Sequence, residues 1–300
     1  STLDRSSAAS DVYKRQVIAD STADLSPELV EKYKVRVVPL HVTFPKEGVD
    51  YLDGVTITPQ QLYDKVKELG ETPKSGAINI QEFIDYFKPY IDDGSDIIFT
   101  GIGSGMSSTI NNATVASREF PEGRIEIVDS QNLSTGTGLL VLKMCELRDK
   151  GMDVHEIAEE VRKFVPLVNS KFCINTLDYL YKGGRCNSLT RWASSVFQLH
   201  PVIVVKDNGM SVGKVLIGKY AKAVDAQIQK FVKDLPNMDT SHVFVTDSDC
   251  MNGEDKQIID ALSKYIPVEN IHHTHAGCVV CTHCGPKTIG ILYILKTAEK

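Results

Sequence analysis

The chain has 300 residues, 42% hydrophobic and 24% charged, with 33 basic against 39 acidic side chains and a formal net charge of -6. That length fits two globular domains, and the acidic balance argues against nucleic acid as a main partner. No apolar run reaches the roughly 18 to 20 residues of a membrane span, which leaves at most transient membrane contact. The seven cysteines (Cys145, Cys173, Cys186, Cys250, Cys278, Cys281 and Cys284) are odd in number and dispersed, as expected of a reducing, cytoplasmic compartment.

The segment SSAASDVYKRQ, residues 6–16, back-translates as an in-frame read of a transposase-based sequencing adapter, so residues 1–16 are expected to be a foreign tail. From Val17, short apolar runs alternate with helix-period segments, the pattern of an α/β fold. A strand is predicted over 17–20, a helix opened by Ser26-Pro27 up to residue 33, and one strand over 35–44. Helices follow over 58–69 and 79–90, then a strand over 96–103. That strand runs into a glycine and serine loop, and Ser107 or Ser108 caps the next helix. A strand over 125–130 and helices over 135–150 and 154–164 complete an N-terminal domain, 17–168, with a mostly parallel sheet.

Beyond residue 168 the texture changes. Asp207-Asn208-Gly209 joins two strands as a hairpin, so a second domain, 169–300, is expected to hold a mixed sheet. It has helices near 189–197, 222–233 and 254–264 and a strand over 242–249.

Several constellations carry possible chemistry. Cys278-Val-Val-Cys281-Thr-His283-Cys284, preceded by His272, His273 and His275, resembles a soft-metal ligand run. Val279-Val280 reads as strand, which would send neighbouring thiols to opposite faces and argues for free thiols. GSGMS, residues 103–107, suggests a serine nucleophile at Ser107. However, the elbow motif lacks its last glycine, and no local pattern supplies a histidine and an acid. GIGSG is likewise a poor dinucleotide fingerprint. Ser75 and residues Ser104, Ser107, Ser108 and Thr109 lie in loops after strands, where hydroxyls and helix-start amides can hold an anion. Lys182-Gly183-Gly184-Arg185 reads as a cationic loop, and Asp20-Ser21 as a turn at the sheet's carboxyl edge.

Taken in order, DSTADLSPEL, YLDGVTIT, TPKSGAIN, SGMSSTINNA, VDSQNLSTGTGLLV, LDYLYKGGRCNS, HPVI and THCGPKTIGI resemble the DegV family across almost the whole chain from Val17. The resemblance implies two α/β domains with a long-chain fatty acid bound between them. It also implies a noncatalytic role as the acyl-carrying subunit of an ATP-dependent fatty acid kinase, which phosphorylates the carboxylate to acyl phosphate for phospholipid synthesis. No cofactor is implied. By motif, Ser75, Ser107, His283 and Arg185 would hold the carboxylate, and Asp20, Ser21, Gly76, Asn79, Thr109 and Gly285 would line the pocket. The alternatives kept open are a metal- or thiol-dependent protein using Cys278, Cys281 and Cys284, and a serine hydrolase using Ser107. The sequence departs from the family pattern at Gly76 and Asn79, at Lys287 in place of a glycine, at Cys284 in place of threonine, and at Ile110 in place of a common tyrosine. The last implies a changed tunnel width.

Overall fold

A computed structural model describes residues 14–186, 199–249 and 251–298. The helix expected near 189–197 and Cys250 lie outside these residues. The first sheet is fully parallel, with the order β2 (Arg36–Val38), β1 (Arg15–Asp20), β6 (Asp96–Gly101) and β7 (Ile125–Asp129). β1 begins two residues before the expected start of the fold, and Arg15 and Gln16 pair with Asp96 and Ile97. Ladder pairing uses backbone groups that every non-proline residue carries, so side-chain identity does not forbid this extension. Helix α1 (Pro27–Tyr33) starts as Ser26-Pro27 predicts, with the Ser26 hydroxyl accepting from Leu29 N. From β1 the chain leads to β2 on one side and returns to β6 on the other. Loops at the carboxyl ends of strands flanking such a reversal form a crevice.

The run 35–44, expected as one strand, is two strands in two sheets: β2 and β3 (His41–Phe44). Pro39 lies between them and has no N–H to continue a ladder. β3 joins β4 (Val49–Leu52) and β5 (Lys74–Gly76) in a small antiparallel sheet that periodicity did not announce, because strands of three or four residues offer too few alternations. Helices α2 (Pro59–Leu69) and α3 (Ile80–Asp92) begin with capping boxes at Thr58 and Asn79. Phe83 of α3 meets Phe99 of β6 edge to face at 5.0 Å between centroids. α4 (Thr109–Ser117), α5 (Thr135–Asp149) and α6 (Val154–Phe164) follow close to their predicted positions.

The second half forms a six-stranded mixed sheet. Its order is β10 (Gly209–Ile217), β9 (Leu199–Lys206), β8 (Val168–Cys173), β13 (Ile289–Leu295), β11 (Met238–Asp247) and β12 (Ile271–His275). All neighbours are antiparallel except β11 and β12. Asp207 and Asn208 both take positive φ, 52° and 59°, the type I′ geometry that Asp-Asn-Gly foretells. Helices α7 (Asp178–Gly183), α8 (Ala221–Asp234) and α9 (Glu254–Leu262) accompany the sheet. Lys182 and Gly183, expected in a loop, instead end α7.

The largest departure is helix α10 (Cys278–Cys284), where a strand and loop were expected. Two valines favour strand, but the first amides of this helix are bound by carboxylates from the other half of the chain, and tertiary caps outweigh a propensity difference of a few tenths of a kcal/mol. One apolar core combines Ile18, Leu40 and Phe99 with Phe172, Ile203 and Val279. A second combines Leu139 and Leu142 with Phe244 and Leu292. Both cores therefore cross the expected boundary at residue 168. Among the described residues, no helix is long and apolar enough to cross a membrane.

Candidate functional site

The loop after β6 meets α10 at a cavity of about 130 Å³ lined from both halves of the chain. Leu40, Ile102, Met106, Leu133, Met210 and Val280 give it apolar walls, while Ser75, Ser107, Ser108, Arg185 and His283 give it a polar end. The β6–α4 loop is held from two sides. Asp20, at the end of β1, accepts from Ile102 N at 2.8 Å. The hairpin tip of the second half reaches it through Asn208, which accepts from Gly105 N at 3.0 Å and donates to Ser104 Oγ at 2.8 Å. A Cβ at Gly105 would lie 2.0 Å from the Asn208 carbonyl oxygen and one at Gly103 2.6 Å from Asn208 Oδ1, while one at Gly101 would lie 2.1 Å from Asp20 Oδ2, so the glycines of GIGSG admit these two contacts.

Ser75 and His283, 208 residues apart, meet at 2.8 Å between Oγ and Nε2. The register Val42↔Ser75 fixes the serine on β5, and α10 supplies the histidine. His283 Nδ1 is buried without a hydrogen-bond partner, and it lies 2.3 Å from where a Cβ at Gly183 would stand. Gly183 is thus required by the approach of the imidazole. Burial, and then the Arg185 charge, push the His283 pKa down to about 4, so the ring is neutral at physiological pH. A buried N–H without an acceptor costs more than a bare acceptor. This favours the tautomer with the proton on Nε2, donating to Ser75 Oγ. The Ser75 hydroxyl then has its own proton to give to a ligand. The same tautomer cannot take that proton, and among the described residues no carboxylate pairs with His283, so the dyad is built to donate rather than to generate an alkoxide.

The helix bearing His283 is fastened at its start. Asp24 Oδ1 accepts from Gly277 N at 2.8 Å and Asp53 Oδ1 from Cys278 N at 2.6 Å. The remaining oxygens accept from Ser134 Oγ and Ser21 Oγ. Burial raises the pKa of both carboxyls, and it lifts that of Asp20 to about 6.

Of the residues expected at the site, Ser75, Gly76, Ser107, Arg185 and His283 line the cavity. Asp20, Ser21, Asn79, Thr109 and Gly285 do not. Asp20 and Ser21 support the loop and the clamp, Asn79 caps α3, Thr109 is buried against Ser107, and Gly285 packs on Tyr179. Ile110 belongs to the core rather than to the cavity wall. Lys287, in place of a glycine, adopts φ 59°. Met106 and Met210 were not singled out at all, and Ser108 only among the hydroxyls of its loop. No pattern marks a methionine as ligand-facing, and Ser108 read equally well as a cap.

The hydrolase reading of Ser107 does not fit this geometry. Its hydroxyl bonds Thr109 Oγ1 at 2.9 Å, and the histidine at the cavity pairs with Ser75. The thiols of α10 also lack the arrangement of a metal site. Cys278 and Cys281 donate to the carbonyls of Ile57 and Ala276, and burial pushes Cys284 up to about 12, which keeps it a neutral thiol.

Fold and site together define an α/β protein of three sheets with a largely apolar cavity that also carries hydroxyls, a neutral imidazole and a guanidinium. A sequence model of the DegV family, described as uncharacterised, matches residues 14–296. A DegV domain-containing protein of Clostridium perfringens is 30% identical over 94% of this chain and 98% of its own length. The structure of a DegV family protein from Thermus thermophilus, described by its fatty acid binding, superposes with a TM-score of 0.83 at 26% identity, covering 94% of this chain and 100% of the other. A stearic acid-binding protein from Eubacterium ventriosum does so with a TM-score of 0.82 at 25% identity, over 94% and 98%. The chain belongs to the DegV family.

Proposed function

We propose that this protein binds a long-chain fatty acid noncovalently, with its carboxylate at Ser75, Ser107, His283 and Arg185. The observation that carries this reading is the Ser75–His283 pair at the polar end of an otherwise apolar cavity. It is supported by the relatives whose descriptions name fatty acid or stearic acid binding. A carboxylate leaving water needs several donors, and two hydroxyls with a guanidinium supply them. Each buried methylene contributes up to about 0.8 kcal/mol before ordering costs, so the chain provides affinity and the head group provides orientation. A cavity of about 130 Å³ is close to one that holds a benzene ring, roughly six carbons. The rest of the acyl chain is therefore admitted by side-chain movement, for which the unbranched Met106 and Met210 are suited.

In the finer reading, the protein has no catalysis of its own and presents the carboxylate to an ATP-dependent fatty acid kinase for acyl phosphate synthesis. Arg185, exposed at the rim, is the group such a partner would meet. The buried free thiols fit a reducing, cytoplasmic setting. Native mass spectrometry followed by lipid extraction tests the first part: about one fatty acid per chain is expected, with retention reduced in Ser75→Ala and Ser107→Ala. A lipid-free chain, or unchanged retention in both variants, overturns it. Incubation of loaded protein with a fatty acid kinase and ATP tests the second, with acyl phosphate as the expected product.

A further inference from the structure

The histidines before α10 are not absorbed by the cavity. β12 alternates its side chains, so His273 and His275 share one face while Thr274 turns inward to Thr246 at 3.1 Å. β12 runs parallel to β11 with His275 opposite Asp247. The Asp247 carboxylate is 1% exposed, and each of its oxygens faces an imidazole: Oδ2 lies 2.7 Å from His273 Nε2 and Oδ1 lies 3.0 Å from His275 Nδ1. One ligand atom from each of the three residues lies within 4.8 Å of the others, the one such group of histidine, cysteine or carboxylate ligands among the described residues.

We propose that Asp247, His273 and His275 form a binding site for a divalent transition metal such as Zn²⁺ or Co²⁺, separate from the ligand cavity. Two imidazoles and a carboxylate are the donor set of borderline metals. Ca²⁺ and Mg²⁺ take oxygen shells instead. With metal–ligand bonds of about 2.0 to 2.2 Å, neighbouring donors in a tetrahedron stand about 3.3 Å apart. The 2.7 and 3.0 Å separations, each to a different oxygen of Asp247, lie within roughly 0.6 Å of that spacing.

Charge favours a cation as well. Asp249 lies 3.5 Å from His275 Nδ1 and Asp255 lies 3.9 Å from His273 Nε2. Among the described residues, no lysine or arginine forms an ion pair with any of the three carboxylates. The imidazoles are partly open to solvent, at 31% and 58% side-chain exposure, which gives an entry path and room for a water as fourth ligand. The buried aspartate between them fixes the geometry from within the sheet.

The test is titration of chelator-stripped full-length protein with Co²⁺, followed by competition with Zn²⁺. One equivalent is expected, with visible d–d absorption and no thiolate-to-cobalt charge-transfer band. His273→Ala and His275→Ala should each weaken binding at least about 10-fold while leaving the circular dichroism spectrum unchanged. Three results overturn the proposal: no binding by the parent protein, an affinity in both variants equal to that of the parent, or a charge-transfer band placing the metal on the cysteines.

Discussion

The two ends of α10 are built differently. At its start, Asp24 and Asp53 accept from the Gly277 and Cys278 amides, and their other oxygens are taken by serine hydroxyls, so all four carboxylate oxygens are engaged. At its end, His283 has one partner and one buried nitrogen with none. Buried polar groups in folded proteins are nearly always paired, and the exceptions concentrate where function needs them. The start of the helix is therefore a fastening between the two halves of the chain, and its end is presented to the cavity.

The sharpest way to break this contrast is Asp53→Ala. It strands the Cys278 amide and the Ser21 hydroxyl in a site where the aspartate is 3% exposed. A loss of about 3 kcal/mol in denaturant unfolding is expected, and a loss near zero would deny the clamp its role.

Next in size is a pH effect from the other end. His283 titrates at about 4 in the folded protein against 6.5 ordinarily, so the unfolded chain binds the extra proton between those values. Stability then rises with pH through that window and is lost as pH falls, by up to about 3 kcal/mol. Asp20, raised to about 6, acts with the opposite sign. Its contribution is present at low pH and is lost as pH rises from about 4 to about 6. The histidine effect must therefore be read as the difference between the parent and His283→Gln across pH 4 to 7; parallel curves would count against it.

A smaller effect is expected at Gly183. An added methyl group would press on Nδ1 of His283, so Gly183→Ala should weaken fatty acid binding about 10-fold, roughly 1.4 kcal/mol, with little change in the unfolding midpoint. Smallest is Lys287→Gly. The lysine holds φ at 59°, and relieving it should raise stability by about 1 kcal/mol, measurable by thermal unfolding.

Much of the first half was readable along the chain because its signals are local. Ser26-Pro27, Thr58-Pro59 and Asn79 mark helix starts by the bonds their own side chains make within three residues. The Asp207-Asn208 turn is equally local. The failures share the opposite property. Pro39 divided a run whose two parts joined different sheets, and α10 became helical because carboxylates more than two hundred residues away bound its first amides. The same holds at the site. Motif order pointed to Ser75, Ser107, Arg185 and His283, and all four line one cavity. Asp20 and Ser21, expected to line the pocket or to form a turn at the sheet's carboxyl edge, form the turn and act one layer behind the cavity, and nothing along the chain separates those two positions.

By itself the sequence determined the α/β class, the parallel character of the first sheet and the mixed character of the second, because hydrophobic period, caps and turn chemistry act over a few residues. The family came from the order of its motifs. Only the tertiary structure decided that Ser75 and His283 are hydrogen-bonded, that Gly183 makes room for the ring, and that the Cys278 and Cys281 thiols point at carbonyls. Each of these depends on distances between segments far apart in sequence. Such distances are set by how the sheets and helices pack, and no local pattern encodes them.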